Sequence, residues 1–406
     1  MVSKKKIQPY IITFFCLFPF VPNSFQIFSS QAYNAFIIWK FLVLSLVCIQ
    51  ALTKTGGKII LDGLLNAIII SMVLLAVPTL IHSGSITKYF GFVFDSLGIV
   101  YVIKNICSKY REYFFLALRL LIRLIIYLNL FLLLIFPDGI FVGHSMNMAV
   151  RYNFLGMDNQ AAAIIITFMA ILIALDKLDK RSSMLILLDV IAIITSLMLL
   201  WCATAIVGGM VFISILCYRR FLKGTISLKT GLILITIAFF LIVFFRIYEL
   251  MSFIIVEVLG KNMGLSGRIE LWSSAIRTWL EYPVLGHGIQ QTESLVYFSI
   301  MNDYRHAHNQ FLQILINGGV VYMLAFIYML IRVERKIDKH LSNTSVYIMG
   351  VGMISFLFMG IADAYSHMVG LYFLIATAYY YADCIEHISA IDCSSYKGLA
   401  SADVEV

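Results

Sequence analysis

Apolar runs of helix-spanning length recur from one end of this chain to the other, and that recurrence decides what it can fold into. A hydrocarbon core of roughly 30 Å takes ~20 residues of helix to cross. Twelve runs approach that length, at 8–28, 33–52, 59–81, 88–104, 112–136, 157–175, 183–200, 203–218, 229–246, 309–331, 344–362 and 367–386. The fourth contains Asp95, and only Trp201–Ala203 separates the seventh from the eighth. Hydrophobic residues make up 61% of the 406 and charged residues 13%, with a mean hydropathy of +0.93, which excludes an ordinary soluble domain. No ten-residue alternation of the outer-membrane barrel kind is present. The expected fold is an all-α polytopic membrane protein of about 12 transmembrane helices with one large extracytoplasmic loop containing short amphipathic helices.

Charge orients this arrangement. Alternate connections hold Lys4–Lys6, Lys54, Lys58, Lys104, Lys109, Arg111, Lys177, Lys180, Arg181, Arg219, Arg220, Lys223, Lys229, Arg332, Arg335, Lys336, Lys339 and Lys397, twenty of the thirty basic residues. The other connections hold Lys88, Arg151, Arg246, Lys261, Arg268, Arg277 and Arg305. The positive-inside rule places the first set, and both termini, in the cytoplasm. The net charge of +8 is therefore a topology signal rather than a nucleic-acid footprint. Residues 1–246 read as an N-terminal transmembrane bundle, 247–308 as the large outward loop, 309–390 as C-terminal transmembrane helices and 391–406 as a cytoplasmic tail, all within one integral membrane domain. The basic, apolar start with Pro19 and Pro22 lacks a small-residue cleavage site and reads as a retained first helix. None of the seven cysteines lies in the loop and no CxxC occurs, so neither a disulfide framework, a metal site nor a cofactor is expected.

Within the loop, Arg268, Trp272, Ala275 and Trp279 recur at helical spacing, so 267–281 reads as a short amphipathic helix. Pro283 stops it, and Gly286-His287-Gly288 reads as a flexible turn with a solvated histidine. His306 and His308 end the loop, two imidazoles within one turn in a chain of 8 histidines. Imidazole is the side chain suited to moving protons near neutral pH, and Asn309 could cap the next helix. The plainer reading makes both histidines interfacial polar residues. Arg268, near a helix N-terminus, could clamp phosphate or simply anchor at the interface. Arg151 and Arg246 could join a cationic pocket or act as anchors. Arg119 and Arg123 share a helical face in the fifth run. Arg119 is expected to snorkel to the cytoplasm. Arg123 stays open between that and pairing with Asp95 or Asp189.

Three segments together, Ser266–Ser273 (SGRIELWS), Tyr282–Gly288 (YPVLGHG) and His306–Gly319 (HAHNQFLQILINGG), resemble the O-antigen polymerase and ligase family, clearly over 265–324. The resemblance implies a glycosyltransferase acting outside the cytoplasmic (inner) membrane. The donor is a glycan on undecaprenyl pyrophosphate. The acceptor is a sugar hydroxyl of another lipid-linked repeat unit for a polymerase, or lipid A core for a ligase. It implies that Arg268 binds the pyrophosphate and His308, with His306 beside it, handles the acceptor proton. A flippase and a chain-length regulator are the partners it implies, and capsule, exopolysaccharide or O-antigen the product. Ligases of the family commonly carry an arginine after the threonine that matches Thr204, where this chain has Ala205. The second phosphate contact is then expected from Arg151 or Arg246. Arg151 shortly before Asn153 is similar to a polymerase feature, which favours polymerase over ligase. A lipid-linked oligosaccharide flippase is the rival from another class. It would need two related halves and midplane ionisable groups.

Overall fold

The computed structural model describes residues 4–402 apart from positions 23, 27, 59, 146–147, 177–182, 246–266, 293–294 and 300–301. Among the described residues nine helices precede the large loop: α1 (Lys4–Leu17), α2 (Ser30–Lys54), α3 (Gly63–Ile81), α4 (Ile86–Tyr110), α5 (Glu112–Ile135), α6 (Asp158–Asp176), α7 (Ser183–Leu200), α8 (Ala203–Leu222) and α9 (Leu228–Val243). The loop carries α10 (Arg268–Glu281), and α11 (Gln310–Asp338), α12 (Thr344–Met359) and α13 (Val369–Ala402) follow. Each expected apolar run coincides with one of these helices. Among the described residues, seven of them are long and apolar enough to cross a membrane, and five further apolar stretches are shorter, 10–17 residues. The chain is a mostly helical, multi-pass membrane protein. The weak boundary between the seventh and eighth runs is a true break, where Trp201 takes a φ of 46° between α7 and α8.

The structure corrects the all-α expectation. Phe141–Ser145 (β1), Met148–Asn153 (β2) and Gly156–Met157 (β3) form an antiparallel sheet, and Val296–Phe298 (β4) pairs with Asp303–Arg305 (β5). Both sheets lie in connections, where backbone groups find no helical partner. The final helix also continues to Ala402, into the segment expected as a tail.

Local chemistry explains where the helices start. Asp62 accepts from Leu64 N and Leu65 N at 3.0 and 2.9 Å to cap α3, and Asn343 caps α12 in the same way. The bundle is built around α6, of which 78% is buried, whereas only 11% of α2 is. Helix α11 packs along α3, and α13 along α4 and α6, so the helices on either side of the loop form one body.

Arg119 does not snorkel. It is 6% exposed and faces Asp176, with Nη1 3.5 Å from Oδ1. Arg123 Nε donates to both oxygens of Asp189 at 2.9 and 3.0 Å, and Tyr127 Oη donates to the same carboxylate at 2.8 Å. Buried charges inside a bundle need such partners. Asp95, the other expected partner, pairs elsewhere.

Helix α11 is broken within its span. Gly319 has φ 61° and ψ −163°. The turn Pro283–Gly288 is stitched into the break. His287 N and Gly288 N donate to Ile316 O and Asn317 O at 2.8 Å each. In return Val320 N donates to Pro283 O at 3.0 Å and Val321 N to Val284 O at 3.2 Å. The backbone groups freed by the break are thus satisfied by the turn. The expectation of a flexible turn is corrected, and so is that of a solvated His287, whose Nε2 lies 2.8 Å from Thr278 O.

Candidate functional site

The start of α11 is fixed before any side chain of the site is placed. Asn309 Oδ1 accepts from Phe311 N and Leu312 N at 3.0 Å each, the N-cap expected from sequence. Its amide Nδ2 donates to Ile361 O at 2.7 Å, and Gln310 N donates to Gly360 O at 2.7 Å. Tyr365 N donates to Gln310 Oε1 at 2.8 Å. The connection between α12 and α13 is therefore sewn to the end of the large loop.

This stitching brings an acid to the paired histidines. His308 Nδ1 lies 3.1 Å from Asp363 Oδ1. The His308 backbone sits at φ 43°, a conformation few non-glycine residues adopt, and it persists because its neighbours hold it. Trp272 Nε1 donates to His308 O at 3.3 Å, Ala307 N to Gln313 Oε1 at 3.0 Å, and His308 N to His306 Nδ1 at 3.3 Å. The two imidazole rings are 3.9 Å apart.

Asp363 is 2% exposed. Burial alone would raise its carboxyl. The hydrogen bond to His308 and the positive charges of Arg268 and His308 outweigh burial and hold it below the usual carboxylate range. An ionised carboxylate only accepts, so Nδ1 of His308 carries the proton toward it. The second oxygen, Oδ2, accepts no hydrogen bond among the described residues and faces Arg268 Nη2 at 3.9 Å. His306 differs from its neighbour. Burial, followed by the charge of His308, pulls its imidazole down to about 4, so it is neutral near pH 7. One histidine is therefore a neutral wall and the other is paired to a carboxylate, the arrangement a general base requires.

Arg268 opens α10 after Gly267 at φ 83°, and its side chain is 24% exposed. The site also borders the start of α8. Cys202 Sγ lies 3.1 Å from both Thr204 Oγ1 and Asn159 Oδ1. Burial pushes its thiol up, and Asp363 adds to this.

His306, His308 and Arg268 are thus brought together around Asp363. Arg151 stands nearby but is engaged otherwise. Its Nε donates to Asp158 at 2.9 and 2.7 Å, Nη1 to Pro137 O at 3.0 Å, and Nη2 to Leu199 O and Leu200 O at 3.2 and 3.3 Å. Arg246 lies outside the described residues. Sequence reasoning missed Asp363. Its signal was a lone carboxylate in the short connection between the last two apolar runs. Among the described residues no group of three His, Cys, Asp or Glu is placed to hold a metal ion. A cavity of about 210 Å³ opens beside His306, lined also by Gln310, Gln313 and Asn317.

Residues 154–327 match the family described as O-Antigen ligase. The matched stretch contains Arg268, His306 and His308, while Asp363 lies beyond it. No curated protein and no solved structure matches the chain.

Proposed function

We propose, from the match of residues 154–327 to the O-antigen ligase family, that this chain is a member of the O-antigen polymerase and ligase family and a repeat-unit polymerase for a surface polysaccharide. It transfers a glycan from undecaprenyl pyrophosphate to a sugar hydroxyl of another lipid-linked repeat unit. The reading includes twelve membrane crossings of the cytoplasmic membrane, cytoplasmic termini and an outward-facing site. The excess of Lys and Arg at the opposite end supports that orientation.

The observation that carries the reading is Asp363 held between His308 Nδ1 at 3.1 Å and Arg268 Nη2 at 3.9 Å. The carboxylate fixes the imidazole so that Nε2 faces the acceptor. Nε2 takes the hydroxyl proton as the oxygen bonds to the anomeric carbon. The bond from that carbon to the pyrophosphate oxygen breaks, and the electron pair leaves with undecaprenyl pyrophosphate. Arg268 neutralises the charge gathering there. Arg151 could add a second contact only by exchanging Asp158 for phosphate. Polymerase is preferred to ligase because Ala205, not an arginine, follows Thr204 at the start of α8.

The test is the gel ladder of surface polysaccharide from a deletion strain carrying each variant at equal protein level. His308→Ala should abolish all but traces of polymer while single repeat units accumulate, since general bases contribute ~10²–10⁴-fold. Arg268→Lys keeps charge but loses the planar fork and should also fail, with Arg268→Ala at least as severe. A wild-type ladder from either alanine variant removes that residue from the site. Transfer to lipid A core without chain growth in the wild type would make the protein a ligase.

A further inference from the structure

A second group of ionisable side chains lies inside the bundle, apart from Arg268, His308 and Asp363. Lys40 Nζ is 2.7 Å from Asp95 Oδ1, and His367 Nδ1 is 2.7 Å from Asp95 Oδ2. Lys40 stands ten residues after Ser30 in α2, and Asp95 nine after Ile86 in α4, so both are ~15 Å along their helices at 1.5 Å per residue. His367 and Met368 both take left-handed φ, 53° and 47°, in the turn that aims the imidazole at Asp95. Strained backbone and intramembrane charge together mark ligand sites more often than packing.

These groups line a cavity of about 180 Å³, which shares Gln160, Tyr365 and His367 with the cavity beside His306. The two cavities adjoin. Their combined wall contains the amides of Gln26, Gln160, Gln310, Gln313 and Asn317, of which Gln26, Gln310 and Gln313 already bond Val21 O, Tyr365 N and Ala307 N. Phe20, Phe92 and Tyr365 add aromatic surface. Lys40 and His367 are both paired with Asp95, so neither stands alone toward a phosphate. A ligand that both donates and accepts, has apolar ring faces and carries no charge fits such a wall.

We propose that the joined cavities are the binding site for the acceptor glycan, a neutral sugar segment held between His306 and the Lys40–Asp95–His367 group. This rests on the polymerase reading for the word acceptor, and on the cavity chemistry for the word sugar.

The experiment uses full-length protein in lipid nanodiscs. The probe is the repeat-unit oligosaccharide released by mild acid from the producing strain's lipid-linked pool and tritium-labelled at its reducing end. Equilibrium binding should be equal for wild type and Arg268→Ala. It should be at least tenfold weaker for Asp95→Asn and for Gln160→Leu, the latter leaving the ion group intact. Inorganic pyrophosphate should not displace the sugar. Size-exclusion profiles matching wild type exclude unfolding, and Gln160→Leu carries the test where Asp95→Asn does not assemble. Undiminished binding by folded Gln160→Leu, no binding by wild type, or displacement by pyrophosphate from Arg268→Ala would each overturn the proposal. Sugar binding lost in Gln160→Leu, alongside normal ladders from the His308 and Arg268 variants, would leave this site standing and remove the polymerase mechanism.

Discussion

Asp363 holds a base and a clamp at once, and a single atom change can separate its charge from its shape. Asp363→Asn keeps the volume but removes the charge that stabilises an imidazolium, and its amide can select the wrong tautomer of His308. Polymer formation in membrane vesicles should fall ~10²–10⁴-fold. Rates equal to wild type would leave His308 without need of its carboxylate. His306 gives a pH prediction. Its folded imidazole titrates near 4, against an ordinary value of 6.5. Between those values the unfolded chain binds a proton that the folded chain refuses, so stability falls as pH drops through that window and is unaffected above it. His306→Gln removes this share. The melting temperature of the purified variant should therefore decline less than that of wild type between pH 6.5 and 4. Identical declines would show that His306 does not titrate in this way.

At the scale of elements, the break in α11 is the most demanding local structure. A Cβ on Gly319 would sit 2.2 Å from Val284 O, on a backbone at φ 61°. Gly319→Ala combines this clash with left-handed strain of ~1–3 kcal/mol and should markedly lower the melting temperature. Gly350→Ala, whose Cβ meets nothing nearer than 3.4 Å, is the control. Equal melting of both variants would mean the break relaxes freely. This region also shows what the sequence could convey. Helix α10 was legible because Arg268, Trp272, Ala275 and Trp279 repeat with the helical period, and the cap of α11 because Asn309 precedes an apolar run. The stitched turn was not legible, because its partners are main-chain groups of α11 and no residue type announces them. Asp363 was hidden for the same reason, being 55 residues from His308 along the chain. Arg119 was misread because its acid, Asp176, lies on another helix.

For the whole molecule, orientation is the first matter to check. In a cysteine-free background, Thr292→Cys lies at an exposed position in the large loop and should react with an impermeant thiol reagent on spheroplasts. Lys336→Cys, at the opposite end, should react only after lysis. The reverse pattern would turn the protein over in the membrane. The site end is cross-tied: Ser24 N to Phe154 O, Ser85 N to Ile289 O and Gln310 N to Gly360 O, each 2.7 Å. Helix α2, by contrast, touches only α1, α4 and two short 3₁₀ turns through its main contacts, and most of its surface is open. Lys40 thus stands on the least buried of the long apolar helices, and the wall it adds to the cavity is the one with lipid directly behind it.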